Sequence, residues 1–176
     1  MPGTSKQTGP KDTAYLSLGG NLGEPDKAMG AALRMLDEDA RIEVVSVSSL
    51  YRTPPWGKTD QPDFLNAAAE LRTTLSPRAF LDTCLEAERT LKRVRQERWG
   101  PRLIDLDILV FGEFEVHERG LEIPHPRMLE RAFVLAPLAE IAPGFIMKGR
   151  RLDDWLSLLD TTGIERQASG RDWWRG

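Results

Sequence analysis

The chain is poor in the residues that mark extracellular, membrane-bound or nucleic-acid-binding proteins. It has one cysteine, Cys84, so no internal disulfide can form and a reducing compartment is expected. It shows no signal peptide and no apolar run of about 18 residues, so we expect a cytoplasmic protein without membrane contact. A formal net charge of −3 and a pI near 5.5 argue against a general attraction for nucleic acid. Any anion site must therefore be local.

Histidine is scarce as well, with two residues in the chain. His117 lies in a charged segment that is expected to be surface, whereas His125 is held between Pro124 and Pro126, which favours a functional position. Neither the P-loop pattern G-x-x-x-x-G-K-[ST] nor the dinucleotide pattern G-x-G-x-x-G occurs. The common nucleotide-binding folds are therefore not expected. The glycine-rich segment 19–23 reads as a strand-to-helix turn that either packs only on the protein or also contacts a ligand.

Two carboxylates on one predicted strand are the least ordinary feature of the chain. Apolar residues alternate from Ile104 to Val110, which places Asp105 and Asp107 together on the opposite face. Side chains two residues apart on a strand stand about 7 Å apart, so these like charges need cations nearby. Carboxylates suit Mg²⁺, which completes its shell with water and substrate phosphates. The alternative is a solvated face of an antiparallel sheet.

The residues just before this strand favour the metal interpretation. Four arginines fall within ten residues of one another, in a loop that also contains Gly100 and Pro101: Arg93, Arg95, Arg98 and Arg102. Guanidinium groups bind phosphate oxygens through paired hydrogen bonds. An arginine-rich loop beside two carboxylates therefore predicts a magnesium and phosphate site.

The elements follow the order strand, helix, strand, strand, helix, strand. The predicted segments are 13–18, 25–36, 42–51, 64–73, 77–91 and 104–111, with Pro25 and Pro77 in the first turns of the helices and Ser76 as the second N-cap. Residues 64–73 are also compatible with a helix, but their alternation favours a strand. This order is the split βαβ pattern, so we predict an α+β, ferredoxin-like antiparallel sheet with helices packed against it.

The same pattern suggests one domain with two appendages. We expect a flexible N-terminal tail over 1–12, a single domain over 13–162 and a C-terminal extension over 163–176. After the last sheet strand, a hairpin near 111–123 should precede helical segments broken by Pro137, and then an amphipathic helix around Trp155. Trp173 and Trp174 are expected to lie on the surface or to be disordered, without a catalytic part.

Two features suggest ligand binding, one in the loop between the second and third strands and one near the start of the third strand. Residues 52–63 form a long loop with three prolines and Trp56, and loops of this length in small domains are often functional. Asn66 stands on an otherwise apolar segment, so it is either a satisfied buried amide or a residue that contacts a ligand.

Four stretches in order carry a family resemblance. They are 19–23 (GGNLG), 51–55 (YRTPP), 63–68 (DFLNAA) and 98–102 (RWGPR) followed by Asp105-Leu106-Asp107. With them, residues 14–142 resemble the 6-hydroxymethyl-7,8-dihydropterin pyrophosphokinases of folate biosynthesis. The resemblance implies transfer of the βγ-diphosphate of ATP to the pterin hydroxymethyl group, giving AMP and the pterin diphosphate.

The resemblance also implies roles for particular positions. Asp105 and Asp107 would bind two Mg²⁺ ions, and with Arg93, Arg95 and Arg102 they would form the catalytic set. The implied pterin-binding residues are Thr53, Pro54, Pro55, Trp56, Phe64, Asn66 and Phe133. The implied ATP-binding residues are Trp99, Arg102, Ile108, Glu122, His125 and Arg131. Gly20 and Phe64 differ from the Ser and Tyr that are frequent in the family.

Two other functions remain open on the residues alone. One is a different Mg²⁺-dependent nucleotide transferase with a D-x-D strand. The other is a non-catalytic ligand-binding or RNA-binding module on a ferredoxin-like fold, which would need exposed aromatics and a basic face. The pyrophosphokinase resemblance implies ATP and the pterin as partners, no binding of nucleic acid, and a monomer.

Overall fold

A computed structural model describes residues 9–55, 60–93 and 103–176, with the side chain of Arg93 excluded. The sheet strands and their helices come first in the chain. They are β1 (Asp12–Gly20), α1 (Pro25–Glu38), β2 (Ile42–Val47), β3 (Tyr51–Thr53), β4 (Phe64–Thr73), α2 (Pro77–Arg93) and β5 (Asp105–Phe111). The second half adds β6 (Val116–Glu118), β7 (Leu121–Ile123), a 3₁₀ turn (Met128–Glu130), α3 (Ala132–Ile141), β8 (Ile146–Met147), β9 (Arg150–Arg151), α4 (Leu152–Ser157), β10 (Glu165–Arg166) and a second 3₁₀ turn (Trp173–Arg175).

The central sheet has the order β10-β3-β4-β1-β5, and β2 also pairs with β4. Every strand pair in it is antiparallel. Strands β1 and β4, which correspond to the first and third strands of the predicted order, therefore lie next to each other inside the sheet, as the split βαβ order requires. The predicted fold class is confirmed, including the assignment of 64–73 to a strand.

Helices cover both faces of the sheet. On one face, Leu16 and Leu18 of β1 belong to a core that contains Leu33 of α1 and Phe80 of α2. On the other face, alternate residues such as Tyr15 belong to a second core with residues of α3 and α4. Because β-strand side chains alternate, one strand supplies both cores. The protein is thus three layers thick.

The two long helices begin where their prolines predict. Pro25 and Pro77 occupy the first helical positions of α1 and α2, where a missing backbone N–H costs no hydrogen bond. Ser76 Oγ accepts a hydrogen bond from the Ala79 N–H over 3.2 Å, which confirms it as the N-cap.

The single strand expected over 42–51 is wrong, because the structure divides it into β2 and β3. The dividing residues are Ser48, Ser49 and Leu50, all buried, and the Ser48 hydroxyl bonds the backbone in place of the ladder. Ser48 Oγ accepts from the Ala68 N–H over 2.9 Å and donates to the Ser49 carbonyl over 2.8 Å. Short polar side chains offer the backbone such alternatives to regular pairing.

The alternation expected from Ile104 to Val110 holds only as far as Ile108. The pairing of β5 with β1 shifts between Tyr15 and Leu16, so that Leu16 faces Ile108 and Tyr15 faces Val110. The shift is a bulge, which turns Val110 into the second core while Ile108 remains in the first. The expectation that Ile108 and Val110 lie on the same face of β5 is therefore wrong.

The predicted break at Pro137 is wrong, because the helix continues through this residue. It lies inside α3, which continues to Ile141, and the interruption comes earlier, at Arg131 between the 3₁₀ turn and α3. The predicted hairpin is present as β6 and β7, and α4 is the predicted amphipathic helix. None of the helices among the described residues is long and apolar enough to span a bilayer.

The C-terminal segment is part of the folded body. Its strand β10 pairs with β3, and Trp174 is 5% exposed and belongs to the first core. Arg34 of α1 donates a hydrogen bond to the Trp174 carbonyl over 2.6 Å. The expected surface or disordered placement of Trp174 is therefore wrong. At the other end, β1 begins at Asp12, one residue earlier than expected.

Candidate active site

The site lies across three neighbouring strands of the sheet, β4, β1 and the edge strand β5. Gly19 of β1 pairs with Asn66 of β4 on one side and with Asp105 of β5 on the other. Two residues earlier on β1, Ser17 has Asp107 as its neighbour on β5. Since neighbouring strands lie about 4.8 Å apart, Asn66 and Asp105 flank a gap of about 10 Å. The sheet therefore presents an amide on one side and two carboxylates on the other.

Two glycines of β1, Gly19 and Gly20, leave the space between these polar groups free of side chains. A Cβ added at Gly19 would lie 3.1 Å from Asn66 Oδ1, and one at Gly20 would lie 2.5 Å from the Leu103 carbonyl oxygen. Both glycines lie within β1, so they are needed for close approach and the turn expected at 19–23 begins later. Only Gly23 of that segment has a positive φ, 62°.

A cavity of about 450 Å³ lies over this part of the sheet. Asp105 and Asp107 both line it, which confirms that they share one face of β5. Its lining also contains Ser17, Gly19, Phe64, Asn66, Leu109, His125, Arg127, Glu130, Arg131, Phe133 and Val134. Two carboxylates thus face two arginines and a histidine across one space, as a site for a metal and an anionic substrate requires.

A second cavity, of about 290 Å³, adjoins the first. Ile108 and Glu122 line it together with residues of the β6–β7 hairpin and Leu81 of α2. Asp107 and His125 line both cavities. The two spaces therefore meet at a carboxylate and an imidazole.

His125 is held with a defined tautomer. Its backbone N–H donates to the Leu109 carbonyl over 2.8 Å, and its Nδ1 accepts from the Arg127 N–H over 3.2 Å. A ring that accepts at Nδ1 carries its proton at Nε2 when neutral. Burial lowers the pKa of His125, opposed by the charge of Asp107. The side chain therefore enters the site as a neutral Nε2–H donor near pH 7.

Asn66 is anchored by a neighbour predicted for the same role. It is 5% exposed, and its Nδ2 donates to Thr53 Oγ1 over 2.9 Å. Thr53 and Pro54 line a third cavity, of about 200 Å³, which shares Phe133 and Glu130 with the first. The structure therefore brings Thr53, Pro54, Phe64, Asn66 and Phe133 to adjoining spaces, and Pro55 follows them, half-buried.

Five predicted site residues cannot be placed. Trp56, Arg95, Trp99 and Arg102 lie outside the described residues, as does the side chain of Arg93.

The two predicted magnesium ligands, Asp105 and Asp107, are both among the described residues. The described residues contain no group of three His, Cys, Asp or Glu suited to a metal. Two carboxylates on one face fit Mg²⁺, which takes one or two from protein and the rest from water and phosphate.

A family model described as 7,8-dihydro-6-hydroxymethylpterin-pyrophosphokinase (HPPK) matches residues 15–143. The chain belongs to this family. The resemblance predicted from the sequence motifs is thereby confirmed, and with it the reaction class, ATP-dependent diphosphotransferase.

Characterised relatives agree along most of the chain. The chain is 48% identical over 153 residues to a 2-amino-4-hydroxy-6-hydroxymethyldihydropteridine pyrophosphokinase of Methylorubrum extorquens, covering 87% of this chain and 97% of the relative. It is 44% identical over 153 residues to the enzyme of that name from Pseudomonas aeruginosa, covering 86% and 94%. An enzyme of the same name from Bacillus subtilis is 47% identical over 128 residues, covering 73% and 77%.

Solved structures agree at the level of the fold. The wild-type HPPK-DHPS of Plasmodium falciparum aligns with a TM-score of 0.68 at 15% identity, covering 85% of this chain. The match spans 45% of that longer chain. At this identity the likeness shows the HPPK fold and no more.

Three charged residues that line the first cavity or lie behind it had no predicted role. Arg127 and Glu130 line the first cavity from the segment that leads into α3. Glu88 Oε1 accepts the Leu106 N–H over 2.6 Å, and burial raises the pKa of Glu88, with smaller contributions from Asp105 and Asp107. The sequence did hold a signal for Glu88, because it stands four residues after Cys84 on the apolar face of α2.

Proposed function

We propose that the protein transfers the βγ-diphosphate of ATP to the hydroxymethyl group of 6-hydroxymethyl-7,8-dihydropterin, with Asp105 and Asp107 holding two Mg²⁺ ions. The observation that carries this proposal is the meeting of two cavities at Asp107 and His125. The first cavity is lined by three of the residues proposed for the pterin, Phe64, Asn66 and Phe133. The second is lined by Ile108 and Glu122, which are proposed for the adenine side of ATP. A direct transfer needs its two substrates in line on either side of the reacting group.

The carboxylates support the metal half of the proposal. Asp105 and Asp107 lie on one rigid strand and face the same cavity. Two bound Mg²⁺ ions would neutralise charge on the phosphate oxygens and lower the pKa of the attacking hydroxyl. The protein then has no need of a Ser/His/Asp arrangement. Glu88 supports the position of this strand through the Leu106 N–H.

The pterin half rests on an amide edge and two aromatic rings. Asn66 has one donor hydrogen committed to Thr53, which fixes the orientation of its amide. The rest of the amide can pair with the polar edge of a pterin, which carries both donors and acceptors. Phe64 and Phe133 line the same cavity and supply apolar faces for a flat ring.

Cationic and polar groups around the meeting point would bind the triphosphate. His125 contributes its Nε2–H, and Arg131 lines the pterin-side cavity, where its guanidinium lies 5.7 Å from the centre of the Phe133 ring. Ile108 and Glu122 would border the adenine. We propose Arg93, Arg95, Arg102 and Trp99 as further ATP-contacting residues on the family resemblance, since they lie outside the described part.

We also propose how the enzyme is organised in the cell. It would be a cytoplasmic monomer whose partners are its two small-molecule substrates. The domain expected over 13–162 would carry the site. The segment 163–176 would add strand β10 to the sheet of that domain. Light scattering of the purified protein should give the mass of one chain.

Calorimetry tests the proposed substrate pair. Binding of the pterin alcohol should be tight when Mg²⁺ and a non-hydrolysable ATP analogue are present, and weaker without them. The Asp105→Asn variant is the control, because it should weaken binding of the nucleotide–metal complex. If the wild-type protein binds the nucleotide but no pterin, a different Mg²⁺-dependent nucleotide transferase becomes the better account.

A further inference from the structure

We infer that Glu140 is a positioning residue for the pterin cavity, by which we mean the first and third cavities together. This inference rests on the proposed function. Glu140 stands near the end of α3, two helical turns after Phe133. Residues seven apart lie on the same face of a helix. One face of α3 therefore carries an aromatic ring at the cavity and a carboxylate about 10 Å further along.

Glu140 fixes α3 to the sheet through the segment around β3. Its side chain is 10% exposed. It accepts hydrogen bonds from the Ser49 N–H at 3.0 and 3.2 Å, from Ser49 Oγ at 3.2 Å and from Tyr51 Oη at 2.7 Å. Burial, followed by this hydrogen bond, raises the pKa of Tyr51, so the hydroxyl keeps its proton and donates. Three donors thus converge on one buried carboxylate.

The strand held in this way carries one proposed pterin contact, Thr53, and pairs with β4, which carries Phe64 and Asn66. Tyr51 pairs with Asn66 across β3 and β4, and Thr53 follows two residues later on the same strand. Thr53 in turn accepts the Asn66 amide hydrogen bond. A shift of β3 relative to α3 would therefore change the spacing between the Asn66–Thr53 pair and the ring of Phe133.

Two arginines of the C-terminal segment balance the charge of Glu140. Arg166 and Arg171 lie 3.6 and 3.5 Å from Glu140 Oε2. Arg166 also donates to Ser49 Oγ over 3.1 Å, and Arg171 donates to the Val47 carbonyl over 2.9 Å. The C-terminal segment thereby affects the pterin cavity through Glu140. Its direct contribution to the lining of the third cavity is Ile164.

Steady-state kinetics on three variants test this role. Glu140→Ala should raise the KM for the pterin by about 10- to 100-fold, the scale of a displacement of about 1 Å in a site. The KM for ATP should stay within about twofold, because the nucleotide side contacts other elements. Glu140→Gln should recover most of the pterin KM, since its oxygen can face Ser49 while the Tyr51 hydroxyl rotates to accept from its amide.

Tyr51→Phe serves if Glu140→Ala does not fold. It removes only the 2.7 Å hydrogen bond and should raise the pterin KM while leaving the ATP KM unchanged. Tyr15→Phe is the matched control, because it removes the 2.9 Å hydrogen bond from Tyr15 to Glu70 outside the cavities. The control should leave both KM values at wild-type levels.

Equal rises in both KM values, or an unchanged pterin KM in folded variants, would overturn the positioning role. The same data separate this failure from failure of the proposed function. If the wild-type protein itself forms no AMP from ATP and the pterin, the proposed function fails. If the wild-type protein is active and the variants do not separate the two KM values, only the role of Glu140 fails.

Discussion

Asp107 and His125 border the same two cavities, so a carboxylate and an imidazole stand where the proposed nucleotide and pterin spaces meet. They reach this place from different elements, because Asp107 lies on β5 and His125 follows β7. The backbone hydrogen bond from His125 to Leu109 ties the second segment to the strand that carries the first. The proposed transfer at this junction would need both groups in place at once.

Replacing either aspartate should abolish most of the turnover. Asp105→Asn and Asp107→Asn keep the side-chain volume but remove the charge that would hold the metals. We expect kcat to fall by about 100-fold or more, the scale seen when one charge-stabilising group is lost. Asp154→Asn, on the first turn of α4, is the control and should be unaffected. Near-wild-type activity with either site variant would refute the metal assignment.

The hydrogen bond between Asn66 and Thr53 should matter for pterin affinity. Thr53→Val keeps the shape but leaves the buried Asn66 amide without its described partner. The Asn66 amide is then no longer held toward the cavity and must be oriented when the pterin binds. With the about 1–3 kcal/mol of a buried hydrogen bond as the scale of that cost, the pterin Kd should rise by about 5- to 150-fold in calorimetry. Thr162→Val, at the far wall of the third cavity, should have a smaller effect. A pterin Kd unchanged by Thr53→Val would exclude this pair from the pterin contacts.

The local features of the fold were predictable, because they depend on residues close in sequence. The paired aspartates, the Ser76 N-cap and the hairpin after β5 all follow from side-chain periodicity or capping chemistry. The family resemblance added predicted roles for Thr53, Asn66 and Phe133, which the structure brings to adjoining cavities. Those roles stay predictions, whereas the confirmed features of the fold are local ones.

The features that escaped prediction depend on distant partners. Glu140 bonds Ser49 across 91 positions, and Arg34 bonds the Trp174 carbonyl across 140. The bulge near Leu109 depends on the register that β5 adopts against β1. Periodicity within one segment carries no information about such contacts, so the burial of Trp174 and the split of β2 from β3 could not be foreseen.

Trp174 should contribute strongly to stability. It is buried against α1, so Trp174→Ala should lower the free energy of unfolding by about 3–5 kcal/mol, as core aromatic truncations do. Denaturant titration would measure the change. Leu158→Ala is the control, because Leu158 is 61% exposed and its truncation should cost less than about 0.5 kcal/mol. Equal, small effects for both variants would place Trp174 outside the core.

Cys84 should make the protein less stable at alkaline pH. Burial raises the pKa of its thiol from 9.0 to about 12. Between these values the unfolded thiol has lost its proton while the folded one keeps it, so the free energy of unfolding falls by about 1.4 kcal/mol per pH unit. Cys84→Ala should remove this component, leaving a shallower dependence above pH 9. Identical alkaline slopes for the two proteins would contradict the burial of an ionisable thiol.

The products of ATP test the central claim most directly. Purified protein, incubated with ATP, Mg²⁺ and 6-hydroxymethyl-7,8-dihydropterin, should release AMP in a one-to-one ratio with pterin diphosphate, as measured by chromatography. No AMP should form when the pterin is omitted, and AMP should form at least about 100-fold more slowly when Asp107→Asn replaces the wild-type protein. Release of ADP, or AMP formation independent of the pterin, would contradict transfer of a diphosphate at the junction of Asp107 and His125.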